Sequence, residues 1–356
     1  MAILGVESAI FGVDDLELCT RFWTDFGLTP LSRTDDESVF EVASGSKIVV
    51  RRRGDPRSPA TYAGKVGMQE TIWGVDTQEA FDALVADLSR DREISFDADG
   101  AAHFFCDDGM PIGLKVWNKR QVVSQPDPVN APGNIQRLNL HRKWRRRCLP
   151  KTINHVVFFV HDYVASLEFF IERLGFRYTD HSRGAGVFAR ADGTHEHHSI
   201  FFVSTALPVA PDDPGFMHIA FGLEDIDELM LGVNQMQQKG WTNTSQNSSG
   251  GLSRHRISSA IYYYFDNPNG GEAEYHVDTD YLDDNWVPRV WDWKFGSLLW
   301  ATKTPSFWEG EVAWDMQFDA DRRSLEPFRR PGGVGDKNGN LPDKLDTLTE
   351  EDEHAI

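Results

Sequence analysis

Apolar and polar positions along this chain follow one pattern written twice. The stretch VESAIFGVDDLELCTRFWTDFGLTPL, from Val6, reads like INHVVFFVHDYVASLEFFIERLGFRY, from Ile153. Each opens as an apolar strand, reaches Asp15 or Asp162, and continues with apolar residues at helical spacing, as at Leu167, Phe170, Ile171 and Leu174. Aspartate at a strand-to-helix junction accepts hydrogen bonds from the free amides of the first turn, so both are predicted N-caps. Gly27 and Gly175 stand where each helix should stop, because glycine readily takes the left-handed conformation that ends many helices.

The continuation repeats as well. MQETIWGVDTQEAFDALVADL, from Met68, parallels FMHIAFGLEDIDELMLGVNQM, from Phe216, with Gly74 against Gly222. FFCDDGMPIGLKVW, from Phe104, parallels YYFDNPNGGEAEYH, from Tyr263. Self-similarity of this kind marks a repeated structural unit. The pattern predicts an α+β fold of four βαβββ units in two pairs, with an N-terminal module over 1–118 and a second module over 150–290. Residues 119–149, with their Pro, Asn and Gln, read as a linker, and 291–356 as a C-terminal extension.

The linker carries HRKWRRR, His141 to Arg147, read as a solvated or interface segment that faces acidic surface elsewhere. The chain then turns aromatic around the start of the extension, with Trp286, Trp291, Trp293, Trp300, Trp308 and Trp314, and becomes Gly- and acid-rich after about 330. The part from Trp291 to Trp314 is expected either to pack over the second module and close a pocket, or to build a subunit interface. Asp343 to Glu353 is expected to be peripheral.

Bulk properties narrow the function. A net charge of −19 argues against general nucleic-acid binding, because a phosphate backbone selects positive surfaces. No apolar run has membrane-spanning length. The start lacks a basic region followed by a long apolar core, so it does not read as a signal peptide. Three cysteines, Cys19, Cys106 and Cys148, have no metal-finger spacing. A cytoplasmic protein without nucleic-acid or membrane partners is the expectation.

The chemistry emerges from comparing the two copies. In the second, three strands carry a potential ligand: His155, His218 and Glu274. Ser8 and Glu70 stand against the two histidines, and counting ten residues from Phe105 and from Tyr264 sets Lys115 against Glu274. A charged lysine does not ligate a divalent cation, so a metal site is expected in the second module only. Two imidazoles and a carboxylate leave positions open on the ion, a set that suits non-haem Fe(II) and that Zn²⁺ also uses. Strand alternation puts Glu272, Glu274 and His276 on one face, beside Tyr262 and Tyr264 or beside Tyr263. Carboxylates on such a face ask for a partner or a metal.

The stretch SRHRISSAIYYYFDNPNGGEAEY resembles the type I extradiol ring-cleaving dioxygenases of the vicinal oxygen chelate superfamily, and the resemblance runs over about 1–285. That family's pattern is a His, a Tyr nine residues on, an Asp- or Thr-Pro-x-Gly turn, then Glu-Tyr or Glu-Phe. It falls on His255, Tyr264, Pro268 with Gly270, and Glu274 with Tyr275. The resemblance implies a vicinal oxygen chelate fold with a non-metal-binding N-terminal module. It implies His155, His218 and Glu274 as metal ligands, His198 in HHSIFF as acid/base, and His255 and Tyr264 as further catalytic groups on the substrate oxygens. Asn267 and His276 depart from the pattern, where Asp or Thr and Gly are usual. His195 and His197 compete for the place of His198, and Glu272 and His276 stand beside Glu274 as partners or competing ligands.

The implied activity is cleavage of a catechol ring by O₂ next to the diol, at a mononuclear Fe(II), with Mn(II) compatible. Catechol and O₂ are then the partners, and a homo-oligomer is expected. Phe188, Phe201 and Phe202 are pocket walls or core. One alternative is another metal-dependent enzyme of the superfamily, an isomerase, lyase or conjugating enzyme, which often draws ligands from both modules. Another is a binding protein of the same fold without the triad.

Overall fold

The computed structural model describes residues 3–59, 62, 67–207, 210–244, 251–305, 308 and 312–329, so the acidic stretch from Asp343 to Glu353 lies outside the described residues. Four βαβββ units follow one another. The first is β1 (Ile3–Val13), α1 (Leu16–Asp25), β2 (Thr29–Arg33), β3 (Glu37–Glu41) and β4 (Lys47–Arg52). The second is β5 (Gly67–Val75), α2 (Gln78–Leu88), β6 (Ser95–Phe96), β7 (Ala102–Phe105) and β8 (Pro111–Val116). The third is β9 (Thr152–Val160), α3 (Tyr163–Leu174), β10 (Arg177–Ser182), β11 (Gly186–Arg190) and β12 (Ile200–Ser204). The fourth is β13 (Gly215–Gly222), α4 (Ile226–Gln238), β14 (Ser253–Arg254), β15 (Ile261–Asp266) and β16 (Glu272–Val277). Then come β17 (Arg289–Trp291), α5 (Trp293–Ser297), β18 (Trp300–Ala301), β19 (Met316–Phe318) and a short 3-10 helix (Arg323–Phe328).

The strands form an eight-stranded sheet, β2-β3-β4-β1-β5-β8-β7-β6, and an eleven-stranded sheet, β18-β14-β15-β16-β13-β9-β12-β11-β10-β17-β19, among the described residues. In each sheet the opening strands of two units run antiparallel, β1 with β5 and β9 with β13. Each opening strand also runs parallel to the last strand of its own unit. A parallel return needs a crossover, which the helix of each unit supplies.

The predicted caps are present. Asp15 accepts from the Leu18 amide, and Asp162 from the amides of Val164 and Ala165. Gly175 ends α3 at φ 72°. Gly27, at φ 97°, follows the Phe26 cap of α1 by one residue, and a Cβ there would stand 2.4 Å from the Cys148 carbonyl oxygen. That close approach ties the first helix to the end of the linker.

One apolar core crosses both modules. Phe26 packs on Tyr275 at 4.1 Å and on Phe221 at 5.0 Å, while Trp73 meets Phe176 edge-on at 4.9 Å. Burial of each such ring contributes about 1.5–3 kcal/mol. The basic linker cluster meets the acids at the start of α4: Arg145 lies 2.7 Å from Glu224 and 2.6 Å from Asp225, and Arg142 lies 2.6 Å from Asp227. Among the described residues no helix is long and apolar enough to cross a membrane.

Candidate metal centre

Strand register brings three donors together. His155 on β9 stands opposite Ala220 on β13, and Ala220 stands opposite Glu274 on β16. His218 lies two residues before Ala220 and so shares its face. The methyl group at Ala220 is small enough to leave the space above it to the longer side chains. His155 Nε2, His218 Nε2 and Glu274 Oε2 converge there, with separations of 3.2, 3.2 and 3.4 Å. All three residues are buried, and Oε2 has no hydrogen-bond donor. Donors about 2.1 Å from one cation lie about 3.0 to 3.4 Å apart between right-angle and tetrahedral geometry. The donor set therefore fits one divalent ion.

Protonation agrees with that fit. Burial holds the His155 imidazole below its ordinary pKa. Burial disfavours the Glu274 charge, but the two imidazoles beside it hold the carboxyl well below its usual range. Ligands must be deprotonated to take a cation, and both shifts favour that form. Glu272, also buried, falls outside the cluster, and so does His276.

The same register corrects the pairing of the two modules. Ser8 stands opposite Ile72, and Ile72 opposite Gly113, as His155 stands opposite Ala220 and Ala220 opposite Glu274. Gly113, not Lys115, is thus the counterpart of Glu274, and Lys115 matches His276. The count of ten was sound but began at Phe105 instead of His103, one pleat period away, which preserves the face and shifts the position. Glycine offers no donor, and in the first module Glu70 is instead 2.7 Å from His103.

His198 reaches the site just before β12, its ring 4.0 Å from that of His155. Behind it runs a buried chain. His198 Nδ1 is 3.0 Å from His197 Nδ1, and His197 Nε2 is 3.1 Å from Asp180 Oδ2. Asp180 also accepts from the Arg289 amide at 2.8 Å and from Trp291 Nε1 at 3.1 Å. An acceptor at Asp180 makes His197 donate through Nε2 and accept through Nδ1. His198 then donates through Nδ1 and turns a bare Nε2 outward. Burial and neighbouring imidazoles hold His198 well below its ordinary pKa, so it stays neutral. His195 bonds the Leu282 carbonyl at 2.8 Å instead and is absent from the pocket wall. Asp180 was not legible as a functional residue, because it lies on β10 with no motif around it.

Tyr264 pairs directly with Glu274 across the β15–β16 hairpin, and Tyr262 with His276, so Tyr262 and Tyr264 share the ligand face while Tyr263 turns to the core. The Tyr264 ring is 5.0 Å from His218. Burial and the Glu274 charge push its phenol well above the ordinary value, so it remains a donor. His255 stacks on Tyr262 at 3.9 Å, and its Nδ1 donates to the Ser297 carbonyl at 2.6 Å, leaving Nε2 as acceptor.

These groups line a cavity of about 160 Å³ whose other walls include Phe159, Phe188, Phe201, Leu207 and Met217. Phe202 belongs to the core. The segment after β16 forms a strap across the opening. β17 adds to one edge of the sheet beside β10, β18 to the other beside β14, and α5 spans between them. Trp293, Gly296, Ser297 and Leu298 of this strap line the cavity.

A mixed α+β fold of paired βαβββ units with a three-donor centre in its second half is the architecture of the vicinal oxygen chelate proteins. Residues 152–274 match the model of the Glyoxalase/Bleomycin resistance protein/Dioxygenase superfamily. It is 27% identical over 283 residues to metapyrocatechase 2 of Cupriavidus necator, covering 79% of this chain and 83% of that protein. The fold is similar to a Mn(II)-bound glyoxalase from Novosphingobium aromaticivorans, with TM-score 0.66, 18% identity, and 88% of this chain and 97% of that one covered. It is likewise similar to homoprotocatechuate 2,3-dioxygenase from Arthrobacter globiformis, with TM-score 0.64, 16% identity, and 87% and 92% covered.

Proposed function

We propose that this chain cleaves a catechol ring with O₂ outside the diol, at one divalent ion held by His155, His218 and Glu274. The observation that carries the reading is the meeting of that donor face with an aromatic-walled cavity of about 160 Å³, close to the ~150 Å³ that accepts a benzene ring in an apolar protein interior. The similarity to a metapyrocatechase supports it. Iron is the ion this reading favours, with manganese compatible, and a cytoplasmic homo-oligomer is its setting.

When bound, the ion supplies Lewis acidity and a common centre for the catechol oxygens and O₂. Three side chains handle the protons. His198 takes a proton at Nε2 and returns it as the ring opens, the ordinary work of a neutral imidazole. Tyr264 donates its hydroxyl hydrogen to a substrate oxygen, and His255 Nε2 accepts from one. The aromatic walls and the α5 strap keep bulk water from the reacting atoms. Both atoms of O₂ end in the product. The isomerase or lyase alternative, with donors from both modules, is disfavoured because the counterpart positions are Ser8, Glu70 and Gly113.

Screening metal-loaded protein against substituted catechols under air tests the reading. O₂ uptake matched to a yellow ring-opened product is expected. Metal-replete protein that consumes no O₂ with any member of the panel overturns it. Truncation examines the strap. A chain ending at residue 335 keeps β17, α5 and the 3-10 helix, whose Leu325 and Phe328 are buried, and should retain nearly all of its kcat/KM. A chain ending at residue 290 loses Trp291, and with it a donor to Asp180, together with one wall of the cavity. It should lose most of its kcat/KM.

A further inference from the structure

Two buried polar groups in the cavity have no task in the chemistry above. His276 is 3% exposed, and neither ring nitrogen has a hydrogen-bond partner. Ser258 is 1% exposed, and its Oγ has none either. Both line the cavity. Native interiors rarely leave such groups unsatisfied, so each asks for a reason.

The two belong to one end of the pocket. β16 places His276 on the Glu274 face, with its ring 5.6 Å from that of His155. The chain then turns at Asp278, φ 58°, and returns onto Ser258, whose carbonyl accepts from the Asp280 amide at 2.9 Å and the Thr279 hydroxyl at 3.4 Å. Ser258 is thereby fixed, with its hydroxyl free. Much of the remaining wall is apolar, with Phe159, Val203, Leu207, Met217 and Trp293, and no Lys or Arg is among the described residues that line the cavity. Nothing there offsets the charge of a carboxylate substituent, and Glu274 already contributes one anion.

We propose that His276 and Ser258 form a subsite for an uncharged oxygen substituent of the substrate ring, a hydroxyl or carbonyl oxygen beyond the two of the catechol. This rests on the ring-cleavage reading. An imidazole presents a donor or an acceptor at each nitrogen, and a serine hydroxyl presents both. A methyl group of similar size satisfies neither, and a site built to bond a polar substituent discriminates against analogues that leave it unpaired.

The test is equilibrium binding to the metal-loaded full chain without O₂, by calorimetry. The probes are 1,2,3-trihydroxybenzene against 3-methylcatechol, and 1,2,4-trihydroxybenzene against 4-methylcatechol, so each pair exchanges a hydroxyl for a methyl. In at least one pair the hydroxyl compound should bind about tenfold tighter or more. That ratio should collapse toward one in His276→Leu and in Ser258→Ala, with metal content measured in both. If His276→Leu does not fold or does not hold metal, Ser258→Ala carries the test by itself. Equal binding within both pairs, or a preference that Ser258→Ala and a folded His276→Leu both keep, overturns the subsite alone. Failure to bind any of the four probes overturns the ring-cleavage reading as well.

Discussion

Glu274→Gln should leave the purified chain nearly free of metal, against about one ion per chain in the parent. Glutamine keeps the length and one acceptor oxygen but removes the only charge in the donor set. Its amide can also turn an N–H group toward His155 Nε2 or His218 Nε2, which lie 3.4 and 3.2 Å from the present Oε2. A lone pair tied up in that way is lost to the ion. Changes one shell further out typically cost 10–100-fold in metal affinity, and this one should exceed that range. Added metal should raise the Tm of the parent, because a ligand that binds the folded state stabilises it. It should leave the Tm of Glu274→Gln unmoved. His218→Ala should behave the same way, while Glu70→Gln in the first module should keep its metal. Metal analysis showing full occupancy in Glu274→Gln or His218→Ala would refute the assignment.

The contrast between the two modules shows what a sequence makes legible. Alternation by two gave the ligand face, since any even shift along a strand keeps a side chain on that face. It did not give the position along the strand. Lys115 and Gly113 differ by one pleat period, and only the pairing of Ile72 with Gly113 separates them. The N-caps Asp15 and Asp162 were legible because a cap acts within three residues of itself. The Asp180–His197–His198 chain was not, because its members approach through the side-by-side packing of β10, β17 and the stretch before β12, far apart in sequence. The strap was half legible: its tryptophans announced packing, but only strand pairing at both sheet edges shows that it crosses the pocket.

His198→Phe should keep metal and catechol binding and slow turnover by about 10²–10⁴-fold, the usual loss on removing a general acid or base. Phenylalanine suits the space, since the neighbours include His155 at 4.0 Å and Phe188 at 4.9 Å. Asp180→Asn probes the same function from behind. Burial pushes the Asp180 carboxyl above its ordinary pKa, and three donors surround it: His197 Nε2, the Arg289 amide and Trp291 Nε1. An asparagine must turn its own N–H group toward at least one of them. If it faces His197, that ring accepts at Nε2 and donates at Nδ1, toward a His198 Nδ1 only 3.0 Å away. Two N–H groups cannot face each other there, so His198 must move its hydrogen to Nε2 and loses the lone pair it shows to the pocket. The expected result is a fall in kcat of about tenfold or more with metal content retained and KM little changed, smaller than the His198→Phe loss because the imidazole is still present. His197→Phe should track Asp180→Asn, and His195→Phe should resemble the parent. Normal turnover in His198→Phe together with a collapsed kcat in His195→Phe would move the acid/base role from His198 to His195.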